Sequence, residues 1–483
     1  MASRAWEMER DLRRQARPPR EGVAHDALRW KQAVDALSAP VRLARVLWES
    51  EVPASGAPDR LIVGAIQSVA NRGRDVTRAE ALIPAAQEAF ERNDDLTLSR
   101  VVAEIYRELW QAPLVADHPY HRFVHPDTWE DVRASLPGAR EDAGGAGTGL
   151  PGGGPDRASY LGSDAYLDRV HAAWLGKNIG GALGTPLEGY TGRAIREAWG
   201  EVRGYVRPPS TLNDDITYEI AFLSALESHG AALDSQELAL RWLDLIPMGW
   251  SAELVALDNL RRGLMPPVSG RYLNPYSEWI GAQMRGEVCG LVAPGRPMEA
   301  VRWAWIDGIV SHEKNGVYAE MYNAALVSLA FVQPDVRALL EQALAYVPQA
   351  SEFADVVRRT LGWCRQAANW QEAWARAEAA FEAYHWIHAY PNAAAVIVGL
   401  WWGQGDFDET LHVVAMCGLD VDCNAGQAGA ILGAAKGTAA IPAAWSAPLE
   451  DTLETYVKGF ERMRISELAR WTARLAAGLG SGR

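Results

Sequence analysis

The segment GLDVDCNAGQAGAILGAAKG, residues 418–437, sets Asp420 and Asp422 ahead of a run of small residues in which Gly429, Gly433 and Gly437 recur at every fourth position. A second segment, WLGKNIGGALGTPLEGY from residue 174, repeats the spacing with Gly176, Gly180 and Gly184. Positions four apart share one helix face, and a stripe of glycine lets two helix backbones approach closely. Taken alone, such stripes signal tight packing in a helical core. The aspartates add a reason for chemistry. In a regular helix, residues two apart point about 200° away from each other and adjacent residues diverge by about 100°. Asp420 and Asp422, and Asp214 and Asp215 of TLNDDITYE (211–219), are therefore expected on non-helical turns at helix N-termini. Gly418 suits the first of these turns.

If the two turns meet, four like-charged carboxylates share one space and must take up protons or bind a cation. An all-oxygen set suits Mg²⁺, Mn²⁺ or Ca²⁺ rather than zinc. Two such ions about 3.5–4 Å apart form a recurrent catalytic arrangement. RNDDLTLSR (92–100) is a near-copy of the second string. It precedes the apolar stretch VVAEIYREL and has no distant partner, so its carboxylates read as a turn and helix N-cap.

The rest of the chain points the same way. TYEIAFLSALESHGAAL, AEMYNAALVSLAFV and QEAWARAEAAFEAYHWI keep apolar residues at three- and four-residue spacing, and no stretch sustains strand alternation. The expected fold class is all-α. Residues 137–157 are dense in Gly and Pro, the profile of a flexible tether. They divide a small helical N-terminal domain (1–136) from a larger helical domain (158–475), a division in keeping with 483 residues.

Asp and Glu total 61 against 47 Lys and Arg, which argues against broad binding to nucleic acid or an anionic membrane. Four dispersed cysteines show neither a zinc-knuckle spacing nor a disulfide framework. The charged N-terminus lacks a secretory apolar core, and the longest apolar run, Ala393–Trp402, is about half a membrane span. A cytoplasmic protein without a membrane segment is expected.

With these motifs in this order, roughly residues 160–460 resemble the ADP-ribosylglycohydrolases, all-helical enzymes that remove ADP-ribose from modified groups with two Mg²⁺ ions. WLGKNIGGALGTPLEG is similar to the family's opening helix and its glutamate, NDD (213–215) to its Thr-Asp-Asp, and residues 418–437 to its closing Gly-Asp-x-Asp segment. NPYSEWIGAQMRG (274–286) and SHEKNGVYAEMYNAA (311–325) resemble substrate-loop motifs of a larger bacterial branch. The resemblance implies that Asn213, Asp214, Asp215, Asp420 and Asp422 hold two Mg²⁺ ions, with Mn²⁺ as an alternative. It assigns catalysis to Glu188 and Asp215, and substrate binding to His312, Asn315, Tyr318 and Trp279.

The implied activity is hydrolysis of a glycosidic bond to ADP-ribose or a related ribosyl compound, the substrate being a small molecule or an ADP-ribosylated group. The rivals are an N-glycosidase of the same fold acting on another nucleoside or glycoside in a specialised bacterial pathway, and a non-catalytic binding protein. Three positions depart from the family pattern. Asn213 and Cys423 stand where it has threonines, and Gly180-Gly181 replaces a Gly-Asp. An amide carbonyl still ligates a hard cation, whereas a thiol is a poor Mg²⁺ ligand.

Other signals read as structural. The histidines of HPYHRFVH (118–125) lack an acidic or Cys partner at ligand spacing and read as packing or surface residues. His385 and His388 are expected on one helix face. Most of the twenty tryptophans are expected to fill gaps between Ala-rich helices. No base is identifiable to make Cys423 a nucleophile.

Overall fold

Helices carry most of the residues that the computed structural model describes, 39–137 and 157–480, in agreement with the all-α expectation. The Gly/Pro-rich tether lies almost wholly outside these residues, as do residues 1–38. Among the described residues, strands occur only as three two-stranded pairs.

In the N-terminal segment β1 (Ser50–Glu51) pairs antiparallel with β2 (Pro58–Asp59), followed by helices α1 (Leu61–Asn71) and α2 (Asp95–Gln111). Asp94 caps α2, its carboxylate accepting from the Thr97 amide at 3.0 Å, so RNDD serves as the helix start its local sequence implies. The segment is sewn onto the larger helical body. The Trp279 indole donates to Ser68 Oγ at 2.6 Å, the Tyr276 hydroxyl to Leu61 O at 3.1 Å, and the Tyr120 hydroxyl to Glu278 at 2.7 Å. The apolar face of α1 belongs to the same buried cluster as the body.

The body is organised around α3 (Asp164–Gly184), α4 (Thr217–His229), α5 (Ser251–Arg261), α6 (Asn315–Ala330), α7 (Ala389–Gly403) and α8 (Val421–Lys436). Every residue of α6 is buried, which marks it as a core helix. The two glycine stripes face each other. A Cβ built at Gly176 would lie 2.2 Å from Gly429 O, one at Gly180 2.1 Å from the Ala425 carbonyl carbon, and one at Gly184 2.1 Å from the Asp422 amide nitrogen. The pairing runs antiparallel, so the C-terminal end of α3 meets the N-terminal end of α8. Beyond α3, β3 (Tyr190–Thr191) pairs antiparallel with β4 (Gly418–Leu419), which ties the turn carrying Glu188 to the start of α8. Gly418 has φ +74° there, and a Cβ would lie 2.4 Å from Tyr190 O, so the turn requires glycine.

His385 and His388 do not share a helix face. They lie in the turn between helix Trp370–Phe381 and α7, and His388 caps α7, its Nδ1 accepting from the Tyr390 amide at 3.2 Å. Pro391 supplies the reason: a helix running through from 370 would lose a hydrogen bond at Pro391 and clash with a carbonyl one turn earlier. Among the described residues no helix is long and apolar enough to cross a membrane.

Candidate active site and metal centre

The antiparallel seating of α3 on α8 decides which acidic groups meet. Asp420 is the N-cap of α8, and Asp214 and Asp215 occupy the turn before α4, where the Thr217 amide donates to Asp214 O at 3.0 Å. Asp422 corrects the sequence expectation, because it stands inside the first helical turn of α8. Side chains there tilt toward the helix N-terminus, so Asp422 joins Asp420 without leaving the helix.

Asp420, Asp422 and Cys423 bring ligand atoms within 4.8 Å of one another, and all three side chains are buried. Asp215 is joined to them, its Oδ1 accepting from Cys423 Sγ at 3.0 Å and its Oδ2 from Asn213 Nδ2 at 3.4 Å. The Asn213 amide fills the space that a side chain at Gly181 would need, 2.6 Å from a Cβ built there. Asp422 Oδ1 is buried without a hydrogen-bond partner. Glu188 faces the same space from the turn after α3.

Burial and mutual repulsion shape the titration of these groups. Burial, then the charge of Asp215, raises Asp214 to about 6 and Asp420 to about 7. Glu188 is pushed well above the ordinary carboxyl range by burial and then by Asp420 and Asp214; Asp422 is pushed well above it by burial and then by Glu188 and Asp215. The Cys423 thiol is driven up by burial and by Asp215, so it stays protonated and donates rather than attacks. Clustered carboxyls that must hold protons, one with an orphaned oxygen, fit a hard divalent cation that would displace those protons.

Behind the cluster lie buried charges that sequence reasoning missed. Lys177 Nζ pairs with Glu219 at 3.4 Å and Glu287 at 3.2 Å, and its charge opposes the upward shift of Asp215. Arg285 holds Glu253 at 2.9 Å and also pairs with Asp307. Burial raises Glu253, which faces the same inner pocket as Glu188 and Cys423, to about 7. Lys177 left a visible signal, as an ionisable residue within a helix of otherwise small and apolar neighbours; Glu253 left none.

Glu188, Asn213, Asp214 and Asp422 open onto a cleft of about 330 Å³ whose aromatic walls include Trp250, Trp386 and Tyr456. The four residues expected to bind substrate do not line it. Trp279 is buried against α1, stacked on His385 with ring centroids 4.3 Å apart. Asn315 donates to Glu278 at 3.0 Å and accepts from the Phe353 amide at 3.0 Å. The Tyr318 hydroxyl donates to Pro126 O at 2.7 Å. His312 is buried, its Nδ1 2.8 Å from Ser311 Oγ and its Nε2 4.0 Å from Glu253. Each polar group except His312 Nε2 is met by a neighbouring protein group, which holds these side chains away from the cleft. Of the HPYHRFVH histidines, His121 bonds Gly73 O at 3.0 Å and His125 stacks on Tyr120.

A sequence model of the ADP-ribosylglycohydrolase family matches residues 162–481. A solved structure described as an "ADP-ribosylglycohydrolase-related protein complex" is similar at 19% identity and a TM-score of 0.47, over 65% of this chain and 99% of that one. No curated protein matches.

Proposed function

Because the chain belongs to the ADP-ribosylglycohydrolase family, whose members are metal-dependent, we propose that it is a Mg²⁺-dependent hydrolase of a glycosidic bond to ADP-ribose or a related ribosyl compound. One observation carries the reading: Glu188, Asp214 and Asp422 open onto one cleft with Asp215 and Asp420 directly beside them. In this reading Asp214, Asp215, Asp420, Asp422 and the Asn213 carbonyl hold two Mg²⁺ ions. Bound there, the ions would offset the carboxylate charge, orient ribose hydroxyls and polarise a water.

The remaining work falls to the chain's own groups. Glu188 stands outside the ligand set, and its carboxylate takes up a proton from the attacking water as the bond at the anomeric carbon breaks through an oxocarbenium-like state. That proton passes on to the departing group, which leaves with the electron pair of the broken bond. The Cys423 thiol, donating to Asp215, keeps that carboxylate turned toward the site. The indoles of Trp250 and Trp386 exclude water from one side of the substrate. His312, Asn315, Tyr318 and Trp279 support the walls, with His312 backing Glu253.

Calorimetric titration of metal-free protein with Mg²⁺ and Mn²⁺, with and without ADP-ribose, tests the proposal. Metal binding that tightens with ADP-ribose supports the hydrolase. Metal binding without coupling keeps the enzyme class and discards that substrate, and no metal binding rejects the mechanism.

A further inference from the structure

Residues 50–60 lie outside the region that matches the family, 162–481, yet they complete the cleft. The loop between β1 and β2 brings Val52, Pro53 and Ala54 to one wall. Two bonds hold it: the Val52 amide donates to Ala57 O at 2.8 Å, and the Arg207 guanidinium to Ala54 O at 3.1 Å. The hairpin sits on the turn that carries Glu188. The Tyr190 hydroxyl donates to Ser55 O at 3.2 Å, and a Cβ at Gly189 would lie 2.7 Å from the Ala57 side chain and 3.8 Å from Cη2 of Trp386.

β2 carries Asp59, which is 2% exposed and closed on one side by His385, 3.9 Å away. Its carboxylate serves the protein's own donors. The Trp250 indole nitrogen donates to it at 3.2 Å, and the Trp386 side chain and the Arg60 amide hold it as well. Burial raises the pKa of this carboxyl, and those three donors oppose the rise. One buried group of the hairpin therefore anchors two tryptophans from distant parts of the body, and both rings line the cleft half-buried. Rings fixed before a ligand arrives spare the entropy of ordering them on binding.

The place of the two rings indicates which part of a ligand they meet. Trp250 borders the cleft and also the inner pocket of Asp420 and Cys423. Trp386 ends beside Gly189, the residue after Glu188. With the sugar at the carboxylates, the group nearest the indoles is the one bonded to the carbon at which Glu188 acts.

We propose that Trp250 and Trp386 form a subsite for a planar aromatic ring carried on the anomeric carbon of the ribosyl substrate, with Asp59 as the positioning residue that sets both indoles. It rests on the hydrolase reading above and narrows the leaving group to an aromatic heterocycle, which stacks on an indole. Asp59 touches no substrate and acts through the two rings.

The test uses the full chain saturated with Mg²⁺ and three probes read by calorimetry: adenosine, methyl riboside (the same sugar without a ring) and ADP-ribose. Adenosine is expected to bind about tenfold or more tighter than methyl riboside, and ADP-ribose no tighter than adenosine. Asp59→Ala releases both indoles, so it should lose most of that preference while its affinities for Mg²⁺ and methyl riboside hold. Asp59→Asn keeps an oxygen for the Trp250 indole and should retain more of the preference than Asp59→Ala. If Asp59→Ala does not fold, Trp386→Leu takes its place, with the same loss expected. Equal binding of adenosine and methyl riboside by the unaltered protein, or a clear preference for ADP-ribose, would overturn the subsite while Mg²⁺ binding stands. An unchanged preference in folded Asp59→Ala would overturn the positioning role. Absence of Mg²⁺ binding would instead bring down the hydrolase reading and the subsite with it.

Discussion

Gly176→Ala tests the contact on which the site depends. The added methyl would lie 2.2 Å from Gly429 O and 2.5 Å from its carbonyl carbon. Both atoms are backbone, so no rotamer change relieves the clash. Restoring ordinary contact requires α3 and α8 to part by about 1 Å. Overpacking of a filled core costs about 1–3 kcal/mol. Two helix backbones must yield here instead of one side chain, which places the loss at the upper end, about 3 kcal/mol. Gly362→Ala, in helix Glu352–Gln366, provides the opposite case. A Cβ there meets nothing within 4 Å, so it should stabilise by about 0.4–1 kcal/mol through the unfolded chain. Urea unfolding of both variants reads the difference. Gly184→Ala should also weaken Mg²⁺ binding, because its methyl would strike the amide of Asp422 itself at 2.1 Å. If Gly176→Ala and Gly362→Ala shift stability in the same direction, the close-approach reasoning is wrong.

Three further outcomes follow from the carboxylate cluster. Asp214 and Asp420 are raised to about 6 and about 7, above their unfolded values, so metal-free folded protein binds more protons than the unfolded chain in that window. Its stability should fall as pH rises from about 5 to about 7.5; saturating Mg²⁺ should flatten the slope, and urea midpoints that rise with pH in metal-free protein would contradict the shifts. Asp214→Ala with Asp215→Ala should abolish Mg²⁺ binding by calorimetry, whereas Asp94→Ala should cost about 1 kcal/mol of stability and leave metal affinity intact. Equal metal loss in both would remove the distinction between the two NDD strings. Cys423→Thr replaces a thiol with a hard oxygen and should raise Mg²⁺ affinity more than Mn²⁺ affinity; parallel changes for the two ions would show that residue 423 does not reach a metal.

Much of this arrangement was legible in the chain itself. The glycine stripes of α3 and α8, the Asp94 cap, and the placement of aspartates at helix starts all follow from forces that act within a turn or two: periodicity, capping and backbone freedom. The resemblance of ordered motifs then linked Glu188 to Asp420 and Asp422. Where local logic misled, a tertiary partner or a breaker intervened. Pro391, in the first turn of α7, rules out one continuous helix through 385–391, so His385 and His388 fall in the turn before α7 instead of on the shared face that their spacing suggested. Trp279, Asn315 and Tyr318 sit in motifs resembling substrate loops, yet each polar atom found its partner within the protein and away from the cleft. Asp59 lies 129 residues before Glu188 along the chain, and nothing in its neighbourhood marks it. Forces local to the chain thus set the helices, the stripes and the acidic turns. That a hairpin from the N-terminal segment faces the carboxylates emerges with the folded core alone, because the meeting depends on side-chain packing summed across it.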